Sequence, residues 1–220
     1  MIAVLYLLIY RVHLVQVKVC GITRSEDASA ASLLGVDAIG LVFWAQSKRA
    51  VTIDKARPIC DAISPFTTVT ALFVGAAEAE VESVLASLPI NLLQFHGDET
   101  PEFCEQWSVP YIRALRAEPS VDLTAEASRY PHARAFLVDA VHNGQFGGTG
   151  AQFDWSSLPQ TFNRPLVLAG GLNPANVAEG IRQVKPMAVD VSSGVESSPG
   201  VKDHDKMRRF IEAAHAAGKG

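Results

Sequence analysis

Short runs of consecutive apolar residues alternate along this chain with longer stretches in which apolar residues recur at helical spacing. Consecutive apolar residues indicate strands that are covered on both faces, as in a parallel sheet. The runs predict eight strands, at residues 16–21, 36–43, 67–74, 91–97, 109–116, 134–140, 165–171 and 187–194. The stretches between and after them predict helices at residues 25–34, 53–62, 78–87, 122–129, 173–184 and 203–217. Thr100 is predicted to cap a further short helix that starts at Pro101, and Pro174 to occupy the first position of its helix.

This order of elements predicts an α/β protein with a single-domain (β/α)8 TIM barrel, because eight strand–helix units in one domain favour a closed barrel. The alternative is a doubly wound open sheet, which would usually carry G-x-G-x-x-G after its first strand. That turn here has the sequence CGITRSED, without the glycine pattern. The barrel is expected to occupy residues 16–220, with residues 1–15 as an N-terminal extension of unknown role.

The composition indicates which partners and which cellular compartment suit this chain. The chain has 220 residues, 48% of them hydrophobic, and a formal net charge of −4, which suits one globular domain. Lys and Arg are scattered, so no basic stripe is present for nucleic acid. The three cysteines lie far apart, which argues against a disulfide framework or a zinc site and for a reducing compartment. The apolar run 2–9 is far short of the roughly 20 residues that span a bilayer. A cytoplasmic protein without metal or membrane contact is therefore expected.

In a barrel of this type, function concentrates at the carboxyl ends of the strands and in the loops that follow them. This rule is independent of any family and selects a small set of residues. The candidates are Cys20, Arg49, Gln94, His96, Asp139, Gly170, Gly171, Asp190, Ser192, Ser193 and Gly194.

Two glycine-containing turns predict a phosphate site. AGGL follows the seventh strand and SSGV the eighth, and such turns let backbone N–H groups approach an anion closely. A helix N-terminus after Pro199 could add a further contact. The alternative is that these glycines only make tight turns. An anionic small molecule would suit this corner of the barrel.

Acid–base chemistry is the second expectation. Cys20, Asp139 and Asp190 each end a predicted strand, and position alone does not choose between the two carboxylates. A free cysteine is more often a buried apolar side chain, and a catalytic thiol would need a local positive charge. His96 could be a structural histidine or a ligand contact. The glycine-rich loop 144–150 lacks the end of a P-loop, and is interpreted either as a cover over the site or as a flexible connection.

Several motifs in order, VKVCGITRSEDA, SKRAV, LLQFHGDE, FLVDA, LAGGLNPANV and VDVSSGVE, resemble those of the phosphoribosylanthranilate isomerase family. The match extends over residues 17–211. The resemblance implies an enzyme of tryptophan biosynthesis that isomerises N-(5-phosphoribosyl)anthranilate to 1-(2-carboxyphenylamino)-1-deoxyribulose 5-phosphate by an Amadori rearrangement. It implies no cofactor and no metal.

The resemblance also implies roles for individual residues. Cys20 is similar to the family's general base and Asp139 to its general acid, while Arg49 matches the residue that pairs with the anthranilate carboxylate. The implied phosphate contacts are Gly170, Gly171, Ser192, Ser193 and Gly194, and the implied pocket residues are Gln94, His96 and Asp190.

Two other functions remain as alternatives. An indole-glycerol-phosphate synthase would need a catalytic lysine at a strand end, and none is apparent. A non-catalytic phosphosugar sensor would be expected to lack Cys20 or Asp139, and both are present. The partner is expected to be a small phosphorylated molecule, and the protein a monomer or a homodimer. The apolar run 2–9 is predicted to pack against the barrel or to mediate self-association, without a part in chemistry.

Overall fold

The computed structural model describes residues 15–117, 121–139 and 164–218, together with residues 155, 158 and 162. Eight parallel strands close into a barrel in chain order, and β1 pairs with β8 to complete it. The strands are β1 Gln16–Cys20, β2 Ala38–Val42, β3 Thr68–Phe73, β4 Leu92–Phe95, β5 Tyr111–Arg116, β6 Phe136–Asp139, β7 Leu166–Leu168 and β8 Ala188–Val191. The predicted (β/α)8 barrel is confirmed. The predicted runs extend beyond the paired strands at one or both ends; some flanking residues, such as Val36 and Phe43, are buried, while others, such as Asn91 and Pro165, are exposed.

The helices pack outside the barrel and begin with polar caps where the sequence offers them. They are α1 Ser25–Leu33, α2 Ile53–Asp61, α3 Glu78–Ser87, α4 Pro101–Glu105, α5 Leu123–Ser128, α6 Val177–Val184 and α7 His204–Ala217. The predicted Thr100 cap is confirmed, since its hydroxyl accepts from the backbone N–H of Phe103. Asp203 caps α7 in the same way.

Two local predictions are wrong. Helix α6 begins at Val177, so Pro174 is not its first residue. The side chains of Asn173 and Asn176 accept from nearby backbone N–H groups, and this local turn competes with the start of a helix.

The segment after Pro199 is also not a helix N-terminus. Residues that follow β8 form a short 3₁₀ turn, Ser193–Val195, and then an antiparallel pair, β9 Glu196–Ser198 and β10 Val201–Lys202. Gly200 has φ 83°, a left-handed conformation that glycine adopts at no steric cost and that turns the chain between these strands.

Alternation along the strands separates an outer core from the barrel interior. On β1, Val17 and Val19 belong to the large cluster that packs under the helices, while Lys18 and Cys20 lie on the other face. In the same way, Leu137 on β6 faces an inner apolar cluster. Interior positions near the carboxyl ends of the strands therefore carry the polar side chains toward the barrel mouth.

Some predictions fall on residues outside the described ranges. The extension 1–14 and the loop 144–150 are among them, so their predicted roles stay predictions. Val15, the first described residue, is buried against the core. No helix in the described part of the chain is long and apolar enough to cross a membrane.

Candidate active site

A pocket opens at the carboxyl ends of the strands, and it gathers nearly all the residues predicted from the sequence. Its lining includes Cys20, Arg49, Gln94, His96, Asp139, Gly170, Gly171, Asp190, Ser192 and Ser193. The exception is Gly194, which does not line it. The structure therefore brings together residues from four strands, β1, β4, β6 and β8, and from the loops after β2, β4, β7 and β8.

Cys20 is the last residue of β1, and its thiol occupies space left by a glycine on the neighbouring strand. A Cβ atom added to Gly40 of β2 would lie 2.7 Å from Cys20 Sγ, so a side chain there would collide with the thiol. Burial raises the pKa of the Cys20 thiol, while the nearby ammonium groups of Lys18 and Lys202 act to lower it. The protonation state of this thiol therefore depends on its charged neighbours.

Lys18 and Asp190 form a buried ion pair beneath the pocket. The two residues are register partners on β1 and β8, and Lys18 Nζ lies 3.0 Å from Asp190 Oδ1. Sequence reasoning missed Lys18. Its spacing of two residues from Cys20 on one strand was the available indication, since residues i and i+2 of a strand share a face. This pair places a fixed cation beside the thiol.

Asp139 lies across the mouth, on β6, and contacts His96, which directly follows β4. Asp139 Oδ2 is 3.5 Å from His96 Nε2, and His96 Nδ1 is 3.1 Å from Gln94 Nε2. When the Gln94 amide donates to Nδ1, the ring proton resides on Nε2, which faces the carboxyl group. The second oxygen, Asp139 Oδ1, is buried and has no hydrogen-bond partner among the described residues. The two oxygens of this carboxyl group therefore differ, since only Oδ2 contacts His96.

Arg49 is held at the pocket edge by a carboxylate that the sequence did not reveal. Its Nε and Nη2 donate to the two oxygens of Glu196, at 3.0 and 2.6 Å. Lys202 Nζ donates to the same carboxylate at 2.9 Å. Burial alone would raise the pKa of Glu196, but hydrogen bonds from Arg49 and Lys202 outweigh it and hold that pKa below its ordinary value. The guanidinium is thus fixed in place, with Nη1 outside this bidentate contact.

Lys202 links this cluster to the strand that carries the thiol. Its ammonium group donates to the carbonyl oxygens of Cys20, at 2.7 Å, and Ser192, at 3.2 Å, as well as to Glu196. The side chain is fully buried. Neither Lys202 nor Glu196 was selected from the sequence, because both lie in the β9–β10 hairpin beyond the last barrel strand.

The turns after β7 and β8 pack directly on each other. Gly170 and Gly171 have φ values of 82° and 63°, which place their backbone in the left-handed region. A side chain on Gly194 would collide with the carbonyl oxygen of Leu172, so glycine is required there for the two turns to meet. Backbone groups of both turns consequently border the same corner of the pocket.

The opposite wall of the pocket is apolar. Val42 and Leu72, from the ends of β2 and β3, form a small buried cluster with Cys20, and Trp44 and Val74 pack against it. Arg49 borders this wall. A flat apolar group with an attached anion would suit this end. Among the described residues, no group of three or more His, Cys, Asp or Glu side chains could hold a metal ion.

A closed (β/α)8 barrel with a thiol and two carboxylates at its carboxyl end has the architecture of a barrel enzyme. Comparison with known proteins specifies the family. The family model of N-(5'-phosphoribosyl)anthranilate (PRA) isomerase matches residues 17–213, and the chain belongs to this family. It is similar to N-(5'-phosphoribosyl)anthranilate isomerase of Pseudomonas fluorescens (strain Pf0-1), with 53% identity over 199 residues that cover 90% of this chain and 98% of the relative.

Solved structures agree with this membership. Phosphoribosyl anthranilate isomerase from Thermotoga maritima is 37% identical, with a TM-score of 0.81, and the match covers 92% of this chain and 99% of that one. A second structure, 36% identical with a TM-score of 0.75, is a complex of such an isomerase with reduced 1-(o-carboxyphenylamino)-1-deoxyribulose 5-phosphate. That match covers 92% of this chain and 99% of the other.

Proposed function

We propose that this protein isomerises N-(5'-phosphoribosyl)anthranilate to 1-(2-carboxyphenylamino)-1-deoxyribulose 5-phosphate in tryptophan biosynthesis, by general acid–base catalysis. The observation that carries this proposal is a single pocket that holds Cys20 and Asp139 on opposite sides of the barrel mouth. The family of the chain and the ligand of its structural relative support the choice of substrate. The reaction moves protons and needs no external oxidant or reductant.

The pocket offers a site for each end of the substrate. The glycine turns after β7 and β8, with Ser192 and Ser193, would hold the phosphate through backbone N–H groups. A contact from Gly194 itself stays a prediction, since this residue borders the neighbouring turn. The anthranilate ring would pack against Val42 and Leu72, where the wall is apolar.

Arg49 would bind the anthranilate carboxylate. Glu196 already engages Nε and Nη2, so the Nη1 group is left to meet the ligand. Prior fixation of the side chain reduces the entropy that is lost when the ligand binds. Glu196 therefore acts as a positioning residue for Arg49.

Asp139 would serve as the general acid that opens the furanose ring. Its Oδ1 proton passes to the ring oxygen as the bond from that oxygen to C1 breaks, and the electron pair of the anthranilate nitrogen forms the Schiff base. Asp139 Oδ1 has no partner among the described residues, which suits this transfer. His96 would orient the carboxyl group through Oδ2.

Cys20 would then serve as the general base. Its thiolate takes the proton from C2 of the Schiff base, the electron pair of the broken C–H bond forms the C1–C2 double bond, and the π pair of the C=N bond moves to the nitrogen. The resulting enolamine tautomerises to the ketone product. The acid and base act on adjacent parts of one sugar, which fits their placement on β6 and β1.

The direct test is turnover with freshly prepared N-(5'-phosphoribosyl)anthranilate, followed by the loss of substrate fluorescence, with the product identified by mass and chromatography. Turnover that depends on protein concentration and yields the ketose supports the proposal. No turnover by a folded protein, or release of free anthranilate alone, would contradict it.

We further propose that the protein works in the cytoplasm as a monomer or homodimer. All three cysteines are free and buried, which fits a reducing compartment. Sedimentation at several concentrations would distinguish the two assembly states.

A further inference from the structure

Lys18 is a buried cation to which the reaction above assigns no role. It precedes Cys20 by two residues on β1, so both side chains point into the barrel. The residue is 5% exposed, and its ammonium group lies 3.0 Å from Asp190 Oδ1. Its positive charge acts to lower the pKa of the buried Cys20 thiol. A lysine in such a position contributes a fixed charge beside a group that can ionise.

The charged groups that face Cys20 carry one more positive charge than negative charges. Lys18, Lys202 and Arg49 supply three cations, while Asp190 and Glu196 supply two carboxylates. The neighbouring residues of β2 and β3 that border the thiol, Gly40, Val42 and Leu72, carry no charge. His96 and Asp139 line the same pocket from β4 and β6. A thiolate at Cys20 would therefore neutralise the cluster that Lys18, Lys202, Arg49, Asp190 and Glu196 form.

Lys18 is better placed than Lys202 to compensate this thiolate. Lysine has three N–H donors, and those of Lys202 already meet two backbone carbonyls and the Glu196 carboxylate. Among the described residues, Lys18 donates to one carboxylate oxygen, so it retains donors for the thiol. Burial raises the pKa of the thiol in the free protein, and only an adjacent cation can offset that cost.

We propose that Lys18 is a positioning residue for the base: its ammonium group, paired with Asp190, is the counter-ion of the Cys20 thiolate, and Asp190 limits its effect. This inference rests on the proposed function in one respect: the thiolate that Lys18 stabilises is the general base of that reaction. Removal of Lys18 and removal of Asp190 must therefore shift the pH midpoint of thiol ionisation in opposite directions. Loss of packing alone would not do so.

The test is the pH dependence of Cys20 alkylation by iodoacetamide in the full-length protein, with each cysteine peptide quantified by mass spectrometry. The variants are Lys18→Met, which removes the charge and keeps an unbranched side chain, and Asp190→Asn, which keeps the shape. Cys60 and Cys104 provide an internal control, because burial raises their pKa to about 11 and about 12. Rapid labelling of these two thiols would mark an unfolded protein.

In Lys18→Met we expect the rate of Cys20 alkylation below the midpoint to fall about tenfold or more, with the midpoint displaced to higher pH. In Asp190→Asn we expect the rate to rise and the midpoint to move to lower pH. An unchanged profile in folded Lys18→Met, or a shift in the same direction for both variants, overturns the proposal. If Lys18→Met does not fold, Asp190→Asn decides, and a shift to higher pH or no shift refutes it.

Alkylation is measured without substrate, so its outcome is independent of isomerase turnover. If the two variants shift the alkylation midpoint in opposite directions and the protein has no turnover, the effect of Lys18 on the thiol is supported and the proposed function is contradicted. Turnover combined with unshifted alkylation would retain the function and remove Lys18 from it.

Discussion

Substitution of Gly40 by alanine tests the packing that places the thiol. A Cβ atom at this position would lie 2.7 Å from Cys20 Sγ, 3.1 Å from its Cα and 3.2 Å from its Cβ. The shortest contact is below any normal approach of a Cβ atom, so the thiol or the strand must move. Overpacking of this kind typically costs about 1–3 kcal/mol of unfolding free energy. Displacement of Sγ should also lower kcat, since proton transfer depends on position.

A double-mutant cycle with Cys20→Ala measures how much of the loss in unfolding free energy comes from the contact with the thiol. That change removes the 2.7 Å contact and leaves the two longer ones, so Gly40→Ala should cost less in the Cys20→Ala background. We expect a coupling free energy of about 1 kcal/mol, within the range seen for residues in contact. Urea unfolding of the four proteins at equal m-values measures it. Additive effects, with no coupling beyond error, would refute this placement of Sγ over Gly40.

Three further predictions concern ligand binding, acid stability and the N-terminal extension. Arg49→Met should weaken the binding of anthranilate-bearing ligands and leave a plain sugar phosphate almost unaffected, because only the former carries the carboxylate; equal losses by calorimetry would count against the assignment. Burial alone would raise the pKa of Asp27, but hydrogen bonds from Arg24, the Lys202 backbone N–H and His204 hold it below its ordinary value. Its contribution to stability is therefore complete above about pH 4 and is lost as the pH falls further; in Asp27→Asn the acid dependence of unfolding should be shallower, and an identical slope would contradict this. A variant that starts at Leu14 should keep kcat close to that of the full chain, with any change in association visible by sedimentation; loss of turnover in a folded protein would show that the extension contributes to the site.

The barrel was predictable because its strands are buried on both faces and because four of the seven described helices begin at a side-chain cap. Period-two alternation also explains why strand-end residues such as Cys20, Asp139 and Asp190 meet in one pocket. Their convergence depends only on the parallel direction of the strands and the closure of the sheet. The start of α6 was less predictable, because the side chains of Asn173 and Asn176 bond to the local backbone and displace the helix start beyond Pro174.

The charged groups around the thiol were not predictable by the same route. Lys18 lies within a buried run, where a lysine is rare unless a partner such as Asp190 compensates it, and that partner is distant in sequence. Glu196 and Lys202 lie in a hairpin after the last barrel strand, which has no helical or strand period long enough to detect. Ion pairs of this kind are defined by tertiary contacts, so the sequence pattern does not contain them.

In the proposed mechanism, Cys20 and Asp139 form an acid–base pair in one pocket. The most direct measurement compares kcat of Cys20→Ala and Asp139→Asn with the wild-type value, together with the affinity of each variant for reduced 1-(o-carboxyphenylamino)-1-deoxyribulose 5-phosphate. We expect kcat to fall about a hundredfold or more in each variant, since a positioned acid or base contributes on that order. Ligand affinity should stay nearly unchanged. Near-normal kcat in either folded variant would remove that residue from the mechanism and contradict the claim.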